Sequence, residues 1–120
     1  MTERRKFFRF ETKISALCEV LKDKIKTSSN ITNISKEGAL ILVNKPLKAG
    51  SDISITMDIP GDNIPIVASG QVAWQRRSKM TGKSELYDTG IKFNGINSVD
   101  KGRLLEYIYT QWLRILDKDE

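Results

Sequence analysis

The residues best suited to bind an anion are arginines at the start of the chain, in the segment Arg4–Arg9 (Arg-Arg-Lys-Phe-Phe-Arg). Arg5 and Arg9 are four residues apart, and Arg4 stands directly before Arg5. A guanidinium group can form two parallel hydrogen bonds with a phosphate, whereas a lysine supplies only a point charge. Taken alone, however, so charged a segment more often forms a solvated basic tail than a binding site.

A second polar motif, Asn33–Gly38 (Asn-Ile-Ser-Lys-Glu-Gly), lies at the entrance to an apolar run. Asn33 carries a side-chain acceptor, Ser35 carries a hydroxyl, and Gly38 lets another group approach the backbone closely. By itself the motif is more typical of a plain turn in which an Asn or Ser side chain bonds the backbone.

The overall charge favours an anionic partner, and the composition argues against a metal site. The net charge is +5 and the pI is about 9.4, which suits a phosphate-bearing ligand, a nucleic acid or a lipid headgroup. The chain contains no histidine and one cysteine, Cys18, so neither a usual zinc cluster nor an internal disulfide is expected.

An enzyme is the least favoured class of protein. Without histidine, the chain lacks the commonest general base and the usual partner of a serine or cysteine nucleophile. Carboxylates would have to act alone, and no catalytic pair or metal site is suggested by the spacing of Asp52, Asp58, Asp62, Glu85 and Asp88. We therefore expect no catalytic residue, no metal and no cofactor.

The length of 120 residues, 39% of them hydrophobic, suits a single compact domain. No apolar run approaches the roughly 20 residues of a membrane span, and the charged start is not followed by the apolar core of a signal peptide. We expect a cytoplasmic protein without membrane insertion.

Hydrophobic periodicity predicts a mainly β domain behind a basic arm. Residues 1–12 precede any periodic pattern, so we assign them to the arm and residues 13–120 to the domain. Strands are predicted at about 13–20, 38–43, 53–59, 66–74 and 86–93, with a polar stretch at 24–34 and a hairpin loop at 76–85. Gly90, inside the last strand, indicates a bulge or a close backbone approach.

The C-terminal segment has the three-and-four spacing of an amphipathic helix over about 98–117. Its predicted apolar face consists of Leu104, Leu105, Ile108, Trp112, Ile115 and Leu116. Ser98 is the predicted N-cap, and Asp100 lies in the first turn, where negative charge is favoured. Several antiparallel strands followed by one such helix suggest a small barrel or curled sheet with the helix over an open end.

Taken together, the two polar motifs resemble the PilZ family, whose pattern is RxxxR near the domain start followed by [D/N]xSxxG. Gly70–Trp74 is similar to the family's G-x-V-x-W strand, and Gly90–Phe93 is similar to its G-I-x-F strand. These four landmarks cover most of the chain. The resemblance implies a six- to seven-stranded antiparallel β-barrel with a C-terminal α-helix, in agreement with the periodicities.

The resemblance also implies a receptor for the bacterial second messenger cyclic di-GMP, in which Arg5 and Arg9 contact the ligand and Asn33, Ser35 and Gly38 form the opposite wall. Arginine forks suit its phosphates and the O6/N7 edges of its guanines, while Asn33 suits the N1–H and N2–H₂ edge. Many family members have aspartate where this chain has Asn33, so a charge-assisted contact is replaced by a weaker neutral one.

Other residues extend this interpretation. Arg4 resembles the extra arginine of family members that bind an intercalated pair of cyclic di-GMP molecules, because a further guanidinium can stack on a second guanine. Arg76, Arg77 and Gly90 are secondary candidates, although exposed hairpin charges are the simpler interpretation of the two arginines. Three aromatic residues are interpreted as core rather than ligand-stacking residues: Trp74, Phe93 and Trp112.

We expect the arm to fold across the site when ligand binds, creating a surface that regulates a separate, unidentified protein of motility, biofilm or exopolysaccharide production. Two alternatives remain: a PilZ-like adaptor that binds only proteins, and a small basic barrel that binds single-stranded nucleic acid. The intact RxxxR motif argues against the adaptor, and the expected burial of most aromatics argues against nucleic acid. The partner, the affinity, the ligand stoichiometry and the oligomeric state are not determined by the sequence.

Overall fold

The computed structural model describes residues 10–78 and 85–118, with side chains described over 14–78 and 85–114. Six strands precede one helix, in the order β1 (Phe10–Val20), β2 (Ile25–Ile34), β3 (Gly38–Val43), β4 (Asp52–Met57), β5 (Ile66–Arg77), β6 (Tyr87–Ile96) and α1 (Ser98–Lys118). The predicted mainly β fold with one C-terminal helix is confirmed.

The six strands form a closed antiparallel barrel in the order β1-β2-β3-β6-β5-β4, and β4 pairs back to β1. Closure removes the free edges that an open sheet would expose. The interior is filled mainly by β-branched side chains, which suit a pleated, buried surface. Fully buried examples are Ile14, Ile31, Ile41, Ile53, Ile55, Ile66 and Val72.

β1 begins earlier than the periodicity predicted. Residues 10–12, which we expected in the arm, belong to this strand, and Phe10 pairs with Ile34 of β2. Residues 1–9 of the predicted arm lie outside the described part of the chain.

The polar stretch at 24–34 contains a strand that hydrophobic periodicity does not reveal, because two of its inward positions are polar. Thr27 and Ser29 are buried. The Ser29 hydroxyl donates to the Ala16 carbonyl at 3.1 Å, and the Thr27 hydroxyl donates to Asn44 Oδ1 at 2.8 Å. These bonds make burial of the two hydroxyls tolerable, so β2 keeps its alternation of faces with polar residues at these inward positions.

A β-bulge in β5 overturns the prediction that Trp74 is a core residue. Val72 pairs with Ile91 and Trp74 pairs with Gly90, so Ala73 is an extra residue in β5. The inserted residue shifts the alternation of faces, and Trp74 is 43% exposed. Phe93, by contrast, packs against the core as predicted. Trp112 is half-buried and lies outside the core cluster.

α1 packs on the barrel through part of its predicted apolar face. Leu104 and Ile108 are buried in the core, whereas Leu105 is exposed. Arg103 joins the helix to the β4–β5 connection, because its guanidinium donates to the Asp62 carboxylate at 2.6 Å and to the carbonyl of Ile64. The side chains of residues 115 and 116 lie outside the described part.

The helix is capped one residue earlier than predicted. Asn97 Oδ1 accepts the backbone N–H of Asp100 at 2.8 Å, and Asn97 Nδ2 donates to the Asp100 carboxylate at 3.1 Å. Asn97 is therefore the N-cap, and Ser98 is the first residue of the helix. Asp100 lies in the first turn, as predicted.

Candidate functional site

The turn between β2 and β3 is held by hydrogen bonds of Ser35. Its backbone N–H donates to the Gly38 carbonyl at 2.9 Å, and its hydroxyl accepts the Glu37 backbone N–H at 3.2 Å. The hydroxyl also lies 3.5 Å from the Gly38 carbonyl oxygen, and Ser35 is only 1% exposed. In this structure Ser35 therefore shapes the turn, as in a plain turn closed by a serine side chain.

Gly38 is required by its neighbour in the barrel. A Cβ atom at this position would overlap the carbonyl oxygen of Ile91 on β6 and would lie 3.2 Å from the Ile91 carbonyl carbon. We expected the missing side chain to let a ligand approach, and here it lets the backbone of β6 approach. The glycine allows β3 and β6 to pair where β3 begins.

Asn33 lies on the outer side of the barrel, just before this turn. Ile31 pairs with Ile41 and Asn33 pairs with Leu40, so Thr32 is an extra residue that turns Asn33 away from the core. The side-chain oxygen of Asn33 is inaccessible to solvent and has no hydrogen-bond partner among residues 10–78 and 85–118. A buried acceptor of this kind costs about 1–3 kcal/mol until a donor reaches it.

Asn33 is one member of a row of directly paired residues that crosses the outer face of four strands. Asn33 on β2 pairs with Leu40 on β3, Leu40 pairs with Gly90 on β6, and Gly90 pairs with Trp74 on β5. The Trp74 indole lies over the α-carbon of Gly90, where a Cβ atom would overlap it. The close approach predicted at Gly90 is therefore confirmed, and the approaching group is an indole ring.

The three predicted arginines of the arm, Arg4, Arg5 and Arg9, lie outside the described residues. The strand that continues from them is described, and its first pairs are Phe10 with Ile34 and Glu11 with Asn33. The fold thus brings the start of β1 beside Asn33 and Ser35.

Arg76 and Arg77 belong to β5 rather than to a hairpin loop, and both are in ion pairs. Arg76 Nε lies 3.7 Å from an Asp88 carboxylate oxygen, and its guanidinium lies 5.4 Å from the centre of the Trp74 ring. Arg77 pairs with Glu85. Their charges are therefore partly compensated, and both side chains are exposed on β5 rather than in the hairpin loop that we expected.

Sequence reasoning missed Trp74 and Leu40 as members of this outer surface. The G-x-V-x-W pattern draws attention to Trp74, but neither bulge can be recognised from hydrophobic periodicity. Leu40 lies in an apolar run in which both faces of the strand carry apolar residues, so the sequence does not show which face points outward.

The ionisable groups with the clearest pKa shifts lie away from the turn. The Arg103 hydrogen bond lowers the pKa of Asp62, and burial raises the pKa of the Cys18 thiol to about 11. Over residues 10–78 and 85–118, no three potential ligands from histidine, cysteine, aspartate and glutamate come together in a possible metal site. In the same residues, no helix has the length and apolar character needed to cross a bilayer.

Several solved structures share this fold. The inhibitor of motility MotI of Bacillus subtilis has a TM-score of 0.76 at 17% identity, over 94% of this chain and 53% of that one. The PilZ domain of YcgR from Escherichia coli, solved with cyclic di-GMP, has a TM-score of 0.72 at 18% identity, over 98% of this chain and 97% of that domain. The chain thus spans about half the length of MotI and nearly all of the YcgR domain.

YcgR in its longer form, also solved with cyclic di-GMP, matches with a TM-score of 0.75 at 15% identity, over 98% of this chain and 50% of that one. No curated protein matches the sequence. The structural likenesses, all under 25% identity, concern the fold, whereas the family model of the PilZ domain matches the sequence itself over residues 3–110. On that match, which the six-stranded barrel accompanies, this chain belongs to the PilZ domain family.

Proposed function

We propose that the chain is a receptor for cyclic di-GMP, which it binds between the arginines of the arm and the turn after Asn33. The observation that carries the proposal is the pairing of Phe10 with Ile34. Arg9 directly precedes Phe10 in the sequence, and consecutive Cα atoms are about 3.8 Å apart. The arm is therefore joined to β1 at the point where this strand lies beside Asn33. PilZ domains are ligand-binding, regulatory domains rather than catalytic ones.

The side-chain oxygen of Asn33 is a suitable acceptor for the hydrogen-bond donors of guanine. The N1–H and N2–H₂ groups of guanine are donors, and they would supply the hydrogen bond that Asn33 Oδ1 does not receive from any described residue. Arginines then meet the two phosphodiesters and the O6/N7 edges with paired hydrogen bonds. Ser35 acts in this proposal by holding the turn in shape, and Gly38 by fixing the turn against β6.

Ligand binding regulates another protein in this proposal. When the arginines engage the dinucleotide, the arm is held against the outer face of the barrel, and a surface forms that the free protein lacks. A cytoplasmic protein of motility, biofilm or exopolysaccharide production binds to that surface. Arg4, next to the motif, adds a guanidinium for a second, intercalated molecule of cyclic di-GMP.

Calorimetric titration of the full chain with cyclic di-GMP, cyclic di-AMP, cyclic GMP and GTP at matched salt tests the proposal. We expect binding of cyclic di-GMP alone, weakened about 10- to 100-fold by Arg5→Ala or Arg9→Ala, since each removes charged hydrogen bonds. Arg114→Ala, an exposed arginine on α1, is the matched control and should bind normally. Unchanged affinity in both arm variants would remove the arm from the site.

The titration also measures stoichiometry. An intercalated pair requires two molecules of cyclic di-GMP for each chain, and Arg4→Ala should then lower the ratio to one. A ratio of one in the unmodified chain would contradict the role proposed for Arg4. Equal binding of all four nucleotides would indicate attraction of phosphate to a basic protein.

Single-stranded nucleic acid is a second candidate ligand, favoured by the outward position of Trp74 beside Arg76. Aromatic side chains on a basic barrel can stack successive bases, with a steep dependence on salt. A fluorescent oligothymidylate titrated at low and high salt tests this candidate. Binding that is lost in Trp74→Ala but kept in Arg5→Ala and Arg9→Ala would favour nucleic acid over the dinucleotide.

A further inference from the structure

Five lysines gather at the end of the barrel that lies opposite the β2–β3 turn. They come from the β1–β2 connection, the start of β2 and the β3–β4 connection, and we call them the lysine end: Lys22, Lys24, Lys26, Lys45 and Lys48. All five are exposed. β1 runs from Phe10 beside the turn to Val20 beside the lysine end, which separates the two surfaces by roughly 33 Å at the usual rise of a strand.

The segments that carry these lysines are fixed to one another. The backbone N–H of Leu21 donates to the Asp52 carbonyl at 3.0 Å, and the Thr27 hydroxyl donates to Asn44 Oδ1 at 2.8 Å. An open trough of about 610 Å³ lies between the connections, with residues 20–23 on one side and 48–52 on the other. The lysines therefore project from a common, hydrogen-bonded platform.

Among the described residues, the charge of the lysine end is only partly offset by acidic neighbours. None of its five ammonium groups forms an ion pair in the described part of the chain, whereas Arg76, Arg77 and Arg103 all do. The acidic residues at this end are Asp23, Asp52 and Glu19, which pairs with Lys26 across β1 and β2, so five lysines against three carboxylates leave a net charge of +2.

Two aliphatic side chains stand among the lysines. Leu21 is 48% exposed and Ile25 is 39% exposed, at the two ends of the β1–β2 connection. Lysine follows each of them directly in the sequence, so apolar and cationic groups alternate along this edge. Such a surface suits a boundary where hydrocarbon and negative charge lie side by side.

We propose that the lysine end docks on an anionic phospholipid surface, with Leu21 and Ile25 at the level of the headgroups and the lysines among the phosphates. Protein–protein interfaces are enriched in arginine and aromatic residues and depleted in lysine, which makes an acidic protein a poorer fit to this surface. Lipid headgroups are mobile and need no fixed geometry of hydrogen bonds. Flexible lysine ammonium groups can therefore bind them as well as the rigid guanidinium group of arginine. Membrane contact at this end leaves the β2–β3 turn facing away from the bilayer.

Co-sedimentation of the full chain with vesicles tests the proposal. We expect binding to phosphatidylcholine vesicles that contain one-third phosphatidylglycerol, and none to phosphatidylcholine alone. Raising the salt from about 0.1 M to about 1 M shortens the screening length from about 10 Å to about 3 Å, so the bound fraction should fall sharply.

Variants then distinguish binding through the lysine end from a general attraction between a basic protein and an anionic membrane. Lys22→Ala with Lys48→Ala should weaken partitioning about 25-fold, at about fivefold for each lysine. Lys101→Ala with Arg114→Ala removes the same charge from exposed positions on α1 and should change it little. Leu21→Ser with Ile25→Ser should weaken binding without altering its dependence on charge.

Equal losses in the two double charge variants, or equal binding to neutral and anionic vesicles, would overturn the proposal. An acidic protein partner would instead be indicated if binding to every vesicle were absent while polyglutamate bound in a lysine-dependent manner. The assay contains no nucleotide, so its outcome is independent of whether the chain binds cyclic di-GMP.

Discussion

The carbonyl oxygen of Ile91 occupies the space that a side chain on Gly38 would need, and this contact fixes β3 against β6 at the turn. A further bond, from the Phe93 N–H to the Glu37 carbonyl at 2.9 Å, extends the pairing into the turn. The last residue of the [D/N]xSxxG motif therefore has a role in the barrel itself.

Gly38→Ala should destabilise the protein by about 1–3 kcal/mol, because a Cβ atom forces two paired strands apart. Urea denaturation followed by circular dichroism measures the change. Gly102→Ala is the matched control: it lies on α1 with open space around it, and alanine there should stabilise by about 0.5–1 kcal/mol. Similar stabilities for the two variants would contradict the role assigned to Gly38.

Gly90→Ala should displace the Trp74 indole, which lies over the glycine. The chain has two tryptophans, so the experiment uses a Trp112→Phe background in which Trp74 alone fluoresces. We expect a red-shifted emission and faster quenching by acrylamide. The displaced ring should be more exposed than in the unmodified chain, where Trp74 is 43% exposed. Unchanged emission would mean that the ring does not rest on Gly90.

Asn97→Ala should cost about 1 kcal/mol of stability, since it removes the side chain that caps α1. Ser98→Ala should have little effect, because Ser98 is inside the helix rather than at the cap. Thermal or urea unfolding of the two variants distinguishes the assignments. The reverse order of effects would restore Ser98 as the N-cap.

The Asp62–Arg103 contact predicts loss of stability in acid. The hydrogen bond from Arg103 lowers the pKa of Asp62 below its ordinary value of 3.8. A carboxyl whose pKa is lower in the folded state contributes stability above 3.8, and the contribution disappears as the pH falls through the folded value. Between about pH 6 and about pH 2, the free energy of unfolding should therefore fall more steeply in the unmodified chain than in Asp62→Asn. Parallel curves would contradict the contact.

Asn33→Asp should strengthen binding of cyclic di-GMP about tenfold, because a charged acceptor forms a stronger hydrogen bond with the guanine edge. The same change should destabilise the free protein, since a carboxylate would occupy a position that is inaccessible to solvent and to which no described residue donates a hydrogen bond. Calorimetry and urea denaturation measure the two effects. Stabilisation of the free protein would show that a donor already reaches this position.

Much of the fold could be predicted because its signals are local. The apolar run at 38–43, the alternation from Ile53 and the three-and-four spacing after Ser98 each identify an element by the period of its buried face. The two polar motifs identified the family, which the match over residues 3–110 confirms.

Other features depend on contacts between distant residues. β2 was missed because its inward Thr27 and Ser29 bond to Asn44 and Ala16, partners that no local pattern reveals. Trp74 was assigned to the core because a single inserted residue reverses the face of a strand, and only pairing with β6 shows the insertion.

The sequence by itself determined the barrel class and the family, and it supplied the residues proposed to recognise a dinucleotide, because periodicity and side-chain chemistry belong to each segment. Only the tertiary structure decided that Ser35 is used within its own turn, that Asn33 Oδ1 has no partner in the described part of the chain, and that five lysines share one end. The reason is physical: strand register and closure of the barrel, rather than distance along the chain, decide which groups meet.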